Sequence, residues 1–253
     1  MNKKQGNLSL NPCLSREMVP FFATMLIYQL LLAALVMIYG YEGSFLLLNG
    51  FHSKGLDAPM FLLTHLGDAL ILTSMLGILL VKKDPGLIVL LILVVIITGL
   101  TGQLMKNFLF DSWDRPLGMI GDDGNLHIVY DYRLYRNSFP SGHSITVAAA
   151  LTSMAMVLKP RFWAMVMLAI ATSLISYTRI YVGVHFAGDV LAGTIIGVAG
   201  AIFLTVRLYP GITQWVSRLS LSGLKRLKTG LFVLALAGLA GGILMIGKYL
   251  KMM

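Results

Sequence analysis

The stretch GLIVLLILVVIITGLTGQLM, residues 86–105, holds twenty residues without a charge or a proline. A helix of that length reaches about 30 Å, the thickness of a bilayer's hydrocarbon core. It has no polar face to turn towards water, so it reads as a membrane span rather than a surface helix. Lys82-Lys83-Asp84-Pro85 stands before it and Lys106 follows it. Six further apolar runs lie at 20–40, 59–81, 144–158, 162–177, 186–206 and 230–247, which predicts seven spanning helices in an all-α polytopic bundle. The turns Lys82–Gly86 and Lys159-Pro160-Arg161 separate neighbouring spans. No repeat of fixed period is present.

Composition agrees. Of 253 residues 57 % are hydrophobic and 12 % charged, with a mean hydropathy of +0.80. An ordinary globular domain has roughly 25 % charged residues, so a disordered chain, a coiled coil and a typical cytosolic enzyme are excluded. The formal charge is +9, but the basic residues flank apolar runs instead of forming a block, which argues for a membrane and against nucleic acid. The single cysteine, Cys13, excludes an intrachain disulfide and a cysteine-rich zinc site. Residues 1–19 are polar, and the first apolar run is too long for a cleaved signal.

With the amino terminus inside, twelve basic residues fall on inner segments: Lys3, Lys4, Arg16, Lys82, Lys83, Lys159, Arg161, Arg207, Arg218, Lys225, Arg226 and Lys228. Eight fall outside: Lys54, Lys106, Arg115, Arg133, Arg136, Arg179, Lys248 and Lys251. That bias predicts a cytoplasmic amino terminus. Four segments follow: a cytoplasmic start at 1–19, a membrane core at 20–206, a basic cytoplasmic connection at 207–229 and an extra C-terminal helix at 230–253. Residues 43–51 are apolar but too short to span, and suit the outer interface.

The polar residues gather on the outer side. The loop 106–143 carries Lys106, Asp111, Asp114, Arg115, Asp122, Asp123, Arg133, Arg136 and His143, and a loop that long is usually functional or disordered. Ser141-Gly142-His143 leads into the fourth span. Free N–H groups and the positive end of a helix dipole suit an anion there, and a histidine can exchange protons with it. The same residues would equally serve as a helix cap, a turn and an interfacial histidine. His185 and Asp189 are four apart and share one helix face. A carboxylate on one imidazole nitrogen frees the other as nucleophile or base, though such a pair can also simply hold helices together. Lys106 and Arg115 would neutralise an anion, or snorkel and pair locally.

Taken together and in this order, Lys106…Arg115-Pro116, Pro140-Ser141-Gly142-His143 and Thr178-Arg179-x5-His185-x3-Asp189 resemble the signature of the type 2 phosphatidic acid phosphatase (PAP2) superfamily: Lys-x6-Arg-Pro, Pro-Ser-Gly-His, Ser-Arg-x5-His-x3-Asp. The second motif matches completely. The third has Thr178 for serine, and the first has eight residues where the family has six. The resemblance spans about residues 20–206, with the Leu46–Asp68 region similar as well, and the seventh span goes beyond the usual six-helix core.

The resemblance implies a bacterial membrane lipid phosphatase of the inner membrane, its site facing outward, to the periplasm in a Gram-negative cell. His185 would attack phosphorus and form a phosphohistidine, Asp189 would orient it, and His143 would act as acid and then base. Lys106, Arg115, Ser141, Gly142 and Arg179 would hold the phosphoryl group. It implies no metal and no cofactor, and no zinc spacing is visible. The partners are a lipid phosphate and the bilayer, not nucleic acid, with the oligomeric state left open. Candidate substrates are undecaprenyl diphosphate, phosphatidate or phosphatidylglycerol phosphate, and lipid A. Phosphotransfer to another acceptor and non-catalytic lipid binding or transport are the alternatives. His65 and Asp68 would line the site or cap a helix. Trp113, Tyr130, Tyr132 and Tyr135 suit the headgroup boundary. Gly193-x3-Gly197 and Gly238-x3-Gly242 suit close helix contact.

Overall fold

The computed structural model describes residues 15–121 and 126–251. Cys13, Asp122 and Asp123 lie outside the described residues, as do Lys3 and Lys4. Nine α-helices are described: α1 (Val19–Gly50), α2 (Lys54–Thr64), α3 (Ala69–Leu80), α4 (Pro85–Leu104), α5 (Pro116–Ile120), α6 (Gly142–Leu158), α7 (Phe162–Tyr181), α8 (Ala187–Ser217) and α9 (Leu221–Lys251). Among the described residues there is no strand. The chain is an all-α membrane bundle.

The seven apolar runs are all helical, but they are not seven equivalent spans. Among the described residues five helices are long and apolar enough to cross a membrane, or six if a bent pair is one span. The run at 59–81 is broken: α2 and α3 meet at a 79° bend. The cause is polar. Asp68 leaves helical geometry and its Oδ1 accepts the amides of Leu70 and Ile71, capping α3. The turn before it, His65–Gly67, is 3-10.

The run at 144–158 is short because it touches little lipid. Every residue of α6 from Ser144 to Met156 is buried, with α4, α7 and α8 around it. Its sequence is small on all faces (Ala148-Ala149-Ala150, Ser153, Ala155), so neighbours approach from every side.

α1 is broken at Gly40, whose φ of +73° suits glycine, so the apolar segment 43–51 forms a separate piece of helix beyond the break. The stretch 207–229 is helical nearly throughout. α8 runs on to Ser217 and α9 begins at Leu221, which leaves a three-residue link.

The two glycine stripes work within the chain. A Cβ at Gly193 would lie 2.7 Å from the carbonyl of Ser141, and one at Gly197 would lie 2.6 Å from the carbonyl of Ile145. These glycines let α8 lie directly on the first turns of α6. On α9, Gly238 and Gly242 meet Ser74 and Ile71 of α3 in the same way. Gly197→Leu should therefore wedge the two helices apart at rigid backbone and destabilise the fold by about 1–3 kcal/mol or more. Gly211→Leu, on the same helix with open space around it, should be nearly neutral. Thermal unfolding in detergent compares the two, and equal midpoints would contradict the packing argument.

Candidate active site

Connectivity brings the polar residues to one end of the bundle. α4 ends, α6 begins, α7 ends and α8 begins there, while the turns carrying Lys82, Lys83, Lys159 and Arg161 lie at the other end.

His185 arrives on a tight turn after α7. Gly183 has φ +84°, and a Cβ there would lie 2.7 Å from the carbonyl of His127. The amides of Val184 and His185 both donate to the carbonyl of Arg179. The His185 side chain is 2 % exposed. Its Nδ1 lies 3.1 Å from Oδ2 of Asp189 and its Nε2 lies 3.2 Å from Nη1 of Arg115. A guanidinium only donates, so Nε2 accepts there, and the ring proton belongs on Nδ1, facing the carboxylate. The lone pair of Nε2 thus points to the cations.

Asp189 is fully buried, in the first turn of α8. Oδ2 accepts from Ser138 Oγ, from the Phe186 amide at 3.0 Å and from His185, and Oδ1 accepts from the Tyr41 hydroxyl. Neither Tyr41 nor Ser138 was a sequence candidate. Ser138 stands two residues before the Pro-Ser-Gly-His motif, which was its only signal. Tyr41 follows the Gly40 break and gave none.

The cations converge despite the long spacing of their motif. Lys106 sits in a π-helical turn, Met105–Leu109, at the end of α4. Its Nζ donates to the carbonyl of Asn137 at 3.0 Å, and Arg115 Nη2 donates to the same carbonyl at 3.3 Å. Residues 107–114 loop out and return, so the two extra residues do not separate the pair. Arg115 also donates to the carbonyls of Arg136 and Val184. Arg179, 2 % exposed, donates to Thr64 Oγ1 at 2.8 Å and lies over the ring of Tyr132, while its Nε has no partner.

His143 faces the same group from the second position of α6 and packs against Gly67, where a Cβ would come within 2.9 Å of it. Ser141 Oγ caps α6, accepting from the amide and hydroxyl of Ser144, and the Ser141 amide donates to the carbonyl of Asp189, which ties α6 to α8. A Cβ on Gly142 would meet nothing within 4 Å, so the helix start faces open space. His65 and Asp68 line a cavity together with His143 and Tyr132. Trp113 packs edge-on against Tyr41 and Phe110, while Tyr130 and Tyr135 are exposed.

Electrostatically the site wants an anion. Burial, and after it the charge of Arg179, brings Arg115 down to about 10, so it remains charged at neutral pH. Burial pushes His185 well below the ordinary imidazole value, and the charges of Arg115, Lys106 and Arg179 push it further. His185 is therefore neutral at pH 7. Lowering the pH should leave it neutral through the usual range near 6.5 and protonate it only well below. Arg115→Leu removes the strongest of these neighbouring charges and should move that titration upward. The ¹⁵N signals of His185 in the ligand-free protein would report both. A titration at 6.5 or above in the unaltered protein would contradict this electrostatic account.

Comparisons with known proteins fit this geometry. Residues 87–211 match the PAP2 superfamily, a segment that includes Lys106, Arg115, His143, Arg179, His185 and Asp189. The matched segment, just under half of the chain, carries all three of the motifs described above. An undecaprenyl-diphosphatase from Sulfolobus acidocaldarius is 37 % identical over 71 residues, which is 28 % of this chain and only 33 % of that protein. A lipid A 4'-phosphatase from Porphyromonas gingivalis is 26 % identical over 170 residues, 65 % of this chain and 72 % of that one. The crystal structure of Aquifex aeolicus LpxE superposes with a TM-score of 0.56 at 28 % identity, covering 63 % of this chain and 91 % of that one.

Proposed function

We propose that the protein hydrolyses the terminal phosphate or diphosphate of a membrane lipid through a phosphohistidine on His185. The observation that carries this reading is the orientation of His185: Nδ1 on the Asp189 carboxylate and Nε2 turned to Arg115, beside Lys106 and Arg179. In the first step Nε2 bonds to phosphorus as the bond from phosphorus to the leaving oxygen breaks, and His143 gives that oxygen its proton. Water then attacks phosphorus as the phosphorus–nitrogen bond breaks and its electron pair returns to Nε2, His143 takes the water's proton, and inorganic phosphate leaves. Lys106, Arg115 and Arg179, with the amides at the start of α6, hold the phosphoryl oxygens as charge shifts between them.

The basic turns at the far end of the bundle support an outward-facing site with the amino terminus inside. In a bacterium this is the outer face of the inner membrane, which lets the lipid keep its tail in the bilayer while its phosphate enters the cluster. Phosphate release by the purified protein in detergent with EDTA tests the reading. Undecaprenyl diphosphate, phosphatidate, phosphatidylglycerol phosphate and lipid A would be offered in parallel. Release unaffected by EDTA from at least one lipid is expected. Release that EDTA abolishes, or phosphate found on a second acceptor instead of free, would overturn it.

A further inference from the structure

Next to His143 lies a cavity of about 130 Å³ that the phosphoryl chemistry does not use. Its lining is mixed: His65, Asp68 and Tyr132 are polar, while Ile71 of α3 and Met245 and Ile246 of α9 are apolar. Three observations point to an occupant. His65 is 8 % exposed, yet its buried Nε2 has no hydrogen-bond partner, and leaving such an atom unpaired is unfavourable. Asp68 uses only Oδ1 to cap α3, so Oδ2 has no donor among the described residues. His143 itself, the proposed acid, lines the cavity, so a group held there lies close to the leaving oxygen.

Charge narrows what that group is. A second phosphate would face the Asp68 carboxylate at close range. A plain hydrocarbon would leave both His65 Nε2 and Asp68 Oδ2 unsatisfied. A hydroxyl satisfies both, because it donates to Asp68 Oδ2 and accepts from the Nε2–H of His65. The apolar wall suits the carbon skeleton that bears it.

We propose that this cavity is a subsite for a hydroxyl-bearing headgroup, a sugar or polyol carrying the scissile phosphate, with His65 and Asp68 as its hydrogen-bond partners and Met245 and Ile246 of the seventh span as its wall. This rests on the lipid phosphatase reading above and gives α9 a part in substrate choice.

The test compares two amphiphilic phosphomonoesters on the full-length protein in detergent: a glycolipid phosphorylated on its sugar, and a prenyl monophosphate that has no hydroxyl near phosphorus. His65→Leu, Asp68→Asn and Ile246→Trp are assayed against both. Asn keeps a capping oxygen for α3. His65→Leu and Asp68→Asn should each lower kcat/KM for the glycolipid by about 10-fold or more through a hydrogen bond left unmade, Ile246→Trp should do so by filling the cavity, and each should change it for the prenyl phosphate by less than about threefold. Equal losses on both lipids would mean a structural role and would overturn the subsite, as would no loss on either. If the unaltered protein releases phosphate from neither lipid nor from any of the four above, the phosphatase reading falls and the subsite with it.

Discussion

His185→Ala should abolish phosphate release, with a fall on the order of 10⁴-fold or more, because the group that forms the covalent bond is gone and no other side chain can take its place. The ring nitrogen towards the cations is Nε2, at 3.2 Å from Arg115, and the other is occupied by Asp189. His143→Ala should behave differently. His143 acts on the leaving oxygen and then on water, so a good leaving group such as nitrophenolate needs little help in the first step and water still needs it in the second. With an aryl phosphate, His143→Ala should give a burst of nitrophenol and accumulate a phosphoenzyme whose label survives alkali and is lost in acid. His185→Ala should give neither burst nor label. A labelled protein in His185→Ala would move the nucleophile to another residue. A burst missing from His143→Ala would show that His143 does more than move protons.

The comparison of sequence with structure has a physical logic. The apolar runs were legible because hydrocarbon demands long uncharged helices, a constraint that acts locally along the chain. Two runs are not long straight helices, for different local reasons. α6 is only 17 residues long because helices surround it, and the run at 59–81 bends where Asp68 caps α3. His143, His185, Asp189, Arg115 and Lys106 were legible because their spacing along the chain is itself the signal. Tyr41, hydrogen-bonded to a carboxylate 148 residues away, left no such trace. Nor did the carbonyl of Asn137, where Lys106 and Arg115 meet. Contacts between distant segments, and contacts made by backbone atoms, carry no residue-type pattern to read. Thr64, which orients Arg179, was missed for the same reason.

Asp189→Asn should cost about 10³-fold in kcat while leaving the fold and the orientation of His185 intact. The carboxylate meets four donors, and one of them, the Phe186 amide at 3.0 Å from Oδ2, cannot rotate away. The asparagine oxygen must therefore occupy the Oδ2 position, where it still accepts the Nδ1 proton of His185. Its NH₂ group then faces the Tyr41 hydroxyl, which can turn and accept. What disappears is the negative charge alone. As Nε2 bonds to phosphorus, the imidazole ring becomes cationic, in a site where Lys106, Arg115 and Arg179 already repel a positive ring. A charge pair near 4 Å is worth roughly 4 kcal/mol at an effective dielectric constant of 20, which corresponds to about 10³-fold. KM should move little, since the charge matters only once the ring is cationic. Tyr41→Phe removes one hydrogen bond and no charge, and should cost about 10-fold at most. The ¹⁵N spectrum of Asp189→Asn should keep the proton of His185 on Nδ1. Near-normal kcat in that variant would reduce Asp189 to a structural tie between the His185 turn and α8.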